Sequence, residues 1–191
     1  MKLLQKLKEI DKLYYTTNDI RKIENYTEGS LYVILNRLVN NRDLIRLASG
    51  IYILPGRYGE IEKIANLLYV PSYLSFESAI SKYGILSQLP YTFSFATTRK
   101  SRKITLGDYP VEYRQLQSGL FFDYTQTNDG LSIATPEKAL FDTLYLSMIG
   151  KLSIDFTSLD TSSVDVKKVL RYTRKYLKRY EGRAKRVLKG S

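Results

Sequence analysis

Leu31, Ile34, Leu35 and Leu38 recur at i, i+3, i+4 and i+7, the spacing of a single helix face. Ser30, Tyr32, Val33, Asn36, Arg37 and Asn40 then fall on the opposite side of that helix. Just downstream, Leu44, Ile45 and Leu47 lead into Ala48-Ser49-Gly50, and Ile51, Tyr52 and Ile53 return. Two β-rich runs around a glycine-containing turn predict a hairpin. Upstream, Leu3, Leu4, Leu7, Ile10 and Leu13 mark an amphipathic first helix. Thr16-Thr17-Asn18 offers capping groups to a short second helix through Ile20 and Ile23, and Thr27 or a close neighbour caps the third.

Beyond Pro55-Gly56 the pattern changes. Glu60 to Tyr69 predicts a connecting helix stopped by Pro71, and Ser75 can cap a helix from Phe76 to about Tyr83, ending at Gly84. β-rich pieces follow at Tyr91 to Thr97, Ile104 to Leu106, Val111 to Leu116 and Leu131 to Ala134, separated by turn-forming residues. Thr135-Pro136-Glu137 is a helix start: a capping hydroxyl, proline at the first position and an acid in the first turn. From Val164 on, Val166, Val169, Leu170, Thr173 and Leu177 form another helix stripe. The expected fold class is α+β: residues 1–55 as a winged helix-turn-helix, 56–163 as helices packed on an antiparallel sheet, and 164–191 as a basic C-terminal helix or tail.

Three helices followed by a two-stranded wing make up a small DNA-binding module whose third helix enters the major groove. On that expectation Asn36 and Arg37 reach base edges, since Asn suits adenine and Arg suits guanine. Ser30 and Tyr32 contact phosphates, Val33 and Asn40 share the same face, and Arg42, Arg46 and Ser49 set the wing against the backbone or minor groove.

Charge sharpens this picture and complicates it. Thirty Lys and Arg against nineteen Asp and Glu give a net charge of +11, which favours an anionic partner. Yet residues 164–191 hold eleven basic and two acidic side chains, so most of the excess lies outside the candidate wing. There Lys167, Lys168, Arg171, Arg174, Lys175 and Lys178 could track phosphates or dock an acidic partner, or simply form a solvated face over apolar surface. Arg99, Lys100, Arg102 and Lys103, with Arg114 on the next β-rich run, form a second cationic group suited to phosphate or to an acidic protein. As a bland alternative, they protect a sheet edge from aggregation.

With no cysteine and no histidine, thiolate chemistry, imidazole bases and nearly every zinc site are excluded. No membrane span or signal peptide is expected, so a cytoplasmic location is. No phosphate-binding glycine loop occurs, and no metal or other cofactor is expected. Asp108 with Glu112-Tyr113-Arg114 is a distant echo of a magnesium nuclease, with Arg where Lys would be needed. Glu77 and Glu137 are better explained by their places near helix starts. The seventeen tyrosines are scattered, and the Tyr172, Tyr176, Tyr180 stripe suits packing better than base stacking. An enzyme is not expected.

Several motifs occur in order between Tyr73 and Leu146: Leu74-Ser75-x-Glu77-Ser78-Ala79, Thr97-Thr98-Arg99-Lys100-x-Arg102-Lys103, Glu112-Tyr113-Arg114, and Thr135-Pro136-Glu137-Lys138-Ala139-Leu140-x-Asp142. In combination they resemble the AbiEi family, antitoxins of bacterial toxin–antitoxin systems that also act as transcriptional regulators. The resemblance implies an N-terminal winged helix that represses the antitoxin's own operon. It also implies an antitoxin domain, here 56–163, that counteracts a cognate toxin of the nucleotidyltransferase type. The chain is shorter after the Asp142 helix than longer members. The competing expectation is a protein-interaction module that docks an acidic partner through its basic tail.

Overall fold

The computed structural model describes residues 2–189; Met1, Gly190 and Ser191, at the outer ends of the 1–55 and 164–191 segments, lie outside the described residues. The chain forms two units, one running to Ala65 and taking in Thr105–Tyr109, the other made of Asn66–Ile104 and everything from Pro110 onward. The first unit therefore extends past Pro55.

In the first unit, α1 (Lys2–Ile10) buries Leu3 and Leu7, and β1 (Tyr15–Thr16) leads into α2 (Thr17–Glu24). α3 (Glu28–Asn40) then runs into the hairpin of β2 (Ile45–Ala48) and β3 (Ile51–Ile53). Leu13, expected on the first helix, lies beyond its end, because the chain turns at Asp11 with φ 46°. The predicted hairpin is present, and β1 adds a strand that sequence patterning misses, giving the order β1-β3-β2. Tyr15 pairs with Tyr52 and Thr16 with Ile51. Leu3, Leu7, Ile20, Leu31, Leu35, Leu38, Leu44 and Tyr52 close one core around the fully buried Tyr15. The Tyr15 hydroxyl donates to the Leu7 carbonyl at 2.5 Å and accepts from the Lys12 amide at 2.9 Å, tying the end of α1 to the sheet.

The start of α2 is a reciprocal capping box: the Asp19 amide donates to Thr16 Oγ1 at 3.0 Å, and the Thr16 amide donates to Asp19 Oδ2 at 2.9 Å. The Thr16 hydroxyl also donates to Asp19 Oδ2 at 2.7 Å, and that bond first, then the one from the Thr16 amide, holds the Asp19 carboxyl down at about 2. A carboxyl depressed below its unfolded value of about 3.9 contributes stability that is present above that pH and lost as pH falls towards about 2. Asp19→Asn is accordingly expected to cost about 1 kcal/mol at neutral pH, as cap losses do. Denaturant titrations from neutral to acid pH should show that difference shrinking below pH about 4; a constant gap would assign the loss to something other than ionisation.

The second unit begins within α4 (Ile61–Leu68), which follows a 3-10 turn at Pro55–Glu60. It continues through β4 (Ser72–Leu74), α5 (Phe76–Lys82), β5 (Phe93–Thr97), β6 (Arg102–Leu106), β7 (Tyr109–Gln115), β8 (Tyr124–Gln126) and β9 (Ser132–Ala134), the last two residues of β6 and the first of β7 being counted with the first unit. Three helices close it: α6 (Pro136–Met148), α7 (Val166–Tyr176) and α8 (Glu181–Lys189). The sheet has six strands in the order β6-β7-β5-β4-β9-β8. The expected antiparallel sheet is corrected here to a mixed one: β4 runs antiparallel to β5, but β5 and β7 pair in parallel, as do β4 and β9. Parallel neighbours need a long return connection, and β6, folded back against β7 at the edge, forms part of it.

Thr135 caps α6 through the Lys138 amide, with Pro136 at the first position. α6 is buried nearly all round, from Lys138 through Leu146, with α5 and α7 packed against it. α7 and α8 are thus part of the second unit. Tyr172 and Tyr176 lie against Phe122 at ring-centroid distances of 5.0 and 4.7 Å, so the tyrosine stripe is packing. Ser75 occupies the N-cap position of α5, but its hydroxyl makes no cap; it donates to Asp142 instead. Among the described residues no helix is long and apolar enough to cross a membrane.

Candidate nucleic-acid interface

α3 forms because its apolar residues hold one stripe. Leu31, Leu35 and Leu38 are buried and Ile34 is half-buried against the core. The other face is left to solvent. Ser30, Tyr32, Val33, Asn36, Arg37 and Asn40 are all exposed, Tyr32 by 50% and Val33 by 69%. Apart from Glu28 in the first turn, α3 carries no carboxylate. Ser30 Oγ lies 2.6 Å from Thr27 Oγ1 and donates to the Thr27 carbonyl at 3.1 Å, which fixes the hydroxyl at the helix entry.

The helix stops in a Schellman arrangement. The Arg42 amide donates to the Val39 carbonyl at 2.9 Å and the Asp43 amide to Leu38 at 2.9 Å. Arg42 itself takes the left-handed backbone, φ 60°, where glycine is usual. An arginine kept in a conformation that disfavours it, with its side chain in solvent, is a backbone outlier worth a functional reading.

Beyond it, Arg46 and Ser49 are exposed on the hairpin, while Leu47 is buried at the register shift between Arg46 and Ala48. Gly50 turns the hairpin at φ 74° and its carbonyl accepts from the Thr17 amide at 3.0 Å. On the other side, the Gly107 amide donates to the Leu47 carbonyl at 2.8 Å, and the Tyr58 hydroxyl donates to Asp108 at 2.8 Å. A Cβ at Gly107 would stand 3.1 Å from the Tyr58 hydroxyl and 3.4 Å from Leu47. The hairpin is therefore braced on both sides near its turn. All nine residues nominated for DNA contact are exposed and lie on α3, its C-terminal turn or the hairpin.

The other nominated cations fare unequally. Arg114 is held by Glu77 at 2.6 Å and Glu112 at 2.8 Å. Burial works to lower its pKa, but these two carboxylates raise it. Its charge is neutralised at home. Lys103 reaches Glu112 at 3.1 Å. Arg99, Lys100 and Arg102 are exposed and make no ion pair among the described residues. On α7, Lys168 bridges Asp123 and Glu137, both at 3.1 Å; burial opposes its charge, but these hydrogen bonds raise its pKa. Arg174 pairs with Glu181 at 3.1 Å and Arg171 with Asp165 at 3.6 Å. Lys175 lies over the Tyr176 ring, and Lys167 and Lys178 face solvent.

The carboxylates of the nuclease echo are engaged elsewhere, Asp108 by Tyr58 and Glu112 by Arg114 and Lys103. Among the described residues no group of three or more could hold a metal ion.

Sequence reasoning passes over the most unusual polar cluster. Lys138 and Asp142 are fully buried one turn apart on α6 and bonded to each other. Asp142 Oδ2 accepts from Tyr73 at 2.9 Å and Ser75 at 2.8 Å, and Lys138 Nζ donates to the Tyr73 hydroxyl at 2.8 Å. Phe122 and Phe141 flank the ammonium at 4.9 and 5.4 Å. Burial drives the Asp142 carboxyl up and the Lys138 ammonium down, each opposed by the other's charge. A Lys-x-x-x-Asp pair inside an otherwise apolar helix was the available signal.

No protein-family model matches this sequence, and no curated protein matches it either. The likeness to the AbiEi antitoxins therefore rests on the quoted motifs themselves.

Proposed function

We propose that the chain is a DNA-binding transcriptional repressor and antitoxin of a bacterial, AbiE-like toxin–antitoxin system, a cytoplasmic binding protein and not an enzyme. The first unit serves as a winged helix on the operator, and the second counteracts a toxin of the nucleotidyltransferase type. The observation that carries the DNA half is the outward face of α3. Asn36 and Arg37 stand exposed, beside the exposed Arg42, Arg46 and Ser49. Thr27 makes no side-chain cap, which leaves the first-turn amides of α3 suited to a phosphate. Residues 1–65 hold eleven basic and eight acidic side chains, so bulk charge attraction is modest and base contacts must contribute.

The test is an anisotropy titration with the DNA just upstream of this gene, a scrambled duplex and a salt series. Selective binding that survives added salt is expected. Arg37→Ala should cost about 1–3 kcal/mol of discrimination, and Asn36→Ala a comparable amount at an adenine. Equal, steeply salt-dependent binding of both duplexes would overturn the repressor reading.

A further inference from the structure

Within the second unit, Tyr69 is sandwiched between Tyr113 and two guanidinium groups. Its ring lies 4.7 Å from that of Tyr113, with Arg99 over its face at 4.2 Å and Arg102 at 5.7 Å. Its hydroxyl donates to the Lys100 carbonyl at 2.9 Å, and Arg99 donates to the Val70 carbonyl at 3.3 Å. Tyr113 in turn packs on Phe95 at 5.5 Å, so the platform is anchored in the core. Around it, apolar side chains face water: Val70 by 60% and Leu67 by 48%, with Pro71 exposed beside them. Neighbouring Lys103 and Arg114 have carboxylate partners; Arg99, Lys100 and Arg102 have none among the described residues.

We infer that Leu67, Val70, Arg99, Lys100 and Arg102 form a docking surface for an acidic protein segment that carries an apolar anchor. This rests on the reading above only in taking the partner to be a protein. Stacking occupies the guanidinium faces and leaves the N–H groups at their edges, other than the one Arg99 gives to Val70, for carboxylates, which Arg binds in bidentate fashion. A phosphate backbone would use the cations but waste the exposed Val70 and Leu67, whereas a protein partner buries apolar side chains beside Arg and aromatic anchors. Ordering costs little, because Arg99 and Arg102 are already held against a ring.

The probe is a labelled amphipathic peptide with a leucine stripe flanked by glutamates, titrated against the full chain by anisotropy. Arg99→Ala with Arg102→Ala, and separately Val70→Ser, should each weaken it about tenfold. Lys167→Ala with Lys178→Ala should leave it unchanged. Replacing the peptide's Glu by Gln, or its Leu by Ser, should also weaken binding. Circular dichroism melts establish that each variant folds, and Lys100→Ala supplies an independent variant if the double one does not. Absence of peptide binding, or equal binding by all variants, overturns the inference. So does a scrambled duplex that loses affinity with Arg99→Ala and Arg102→Ala while the peptide does not, which would make the surface a phosphate track. Loss of operator selectivity with peptide binding intact would sink the repressor reading and leave this surface standing.

Discussion

Asp142→Ala is expected to destabilise the second unit by about 3–5 kcal/mol, because it strands the Lys138 ammonium in a fully buried site. Both side chains are fully buried, and the ammonium's other hydrogen-bond partner is the Tyr73 hydroxyl. That hydroxyl and the Ser75 hydroxyl lose their acceptor in the same change. The cost belongs to the broken pair and not to charge as such. Replacing both members by apolar residues of similar volume, Lys138→Met with Asp142→Leu, removes the stranded charge and should recover part of that loss. The remainder is the Tyr73 and Ser75 hydroxyls left without their acceptor, about 1–3 kcal/mol each at most. Denaturant melts of the single and double variants check this. If the double variant is as weak as Asp142→Ala, the pair organises β4, α5 and α6 in a way that apolar packing cannot replace.

Tyr15→Ala should cost the first unit about 3–5 kcal/mol, the range for emptying a buried aromatic site. Tyr15→Phe separates the parts. It keeps the ring among Leu7, Ile20 and Tyr52 and removes the hydroxyl that serves the Leu7 carbonyl and the Lys12 amide. Its cost should be about 1–3 kcal/mol, that of unmade buried hydrogen bonds. Equal losses for the two variants in urea titrations would show that the ring itself contributes little.

What the sequence made legible was whatever repeats with a period. α3 and its buried stripe, the Ser49-Gly50 turn and the Thr135 start of α6 all carry local signals that tertiary structure leaves in place. Strands of two or three residues are too short to show a period; the apolar runs of β3 and β9 are legible all the same, but β1, β4 and β8 are not. Alternation also tells which face is buried and nothing about a neighbour's direction, which is why the parallel pairings of β5 with β7 and β4 with β9 were read as antiparallel. On the candidate DNA face, a helix's solvent side follows from its buried side, so those residues could be placed from sequence. The fates of the cations could not. Arg114 and Arg99 look alike as letters, but only the fold brings Glu77 and Glu112 to one and the Tyr69 ring to the other.

The brace at Gly107 also bears on biosynthesis. The unit that holds α3 is discontinuous along the chain, because Thr105–Tyr109 belongs to it. On the ribosome its helices and hairpin emerge early, while the Leu47 carbonyl waits for the Gly107 amide, made sixty codons later, a delay of about 3–12 seconds at ordinary elongation rates. A fragment ending at Ala65 would lack Thr105–Tyr109, and with it the Gly107 amide that the Leu47 carbonyl accepts from.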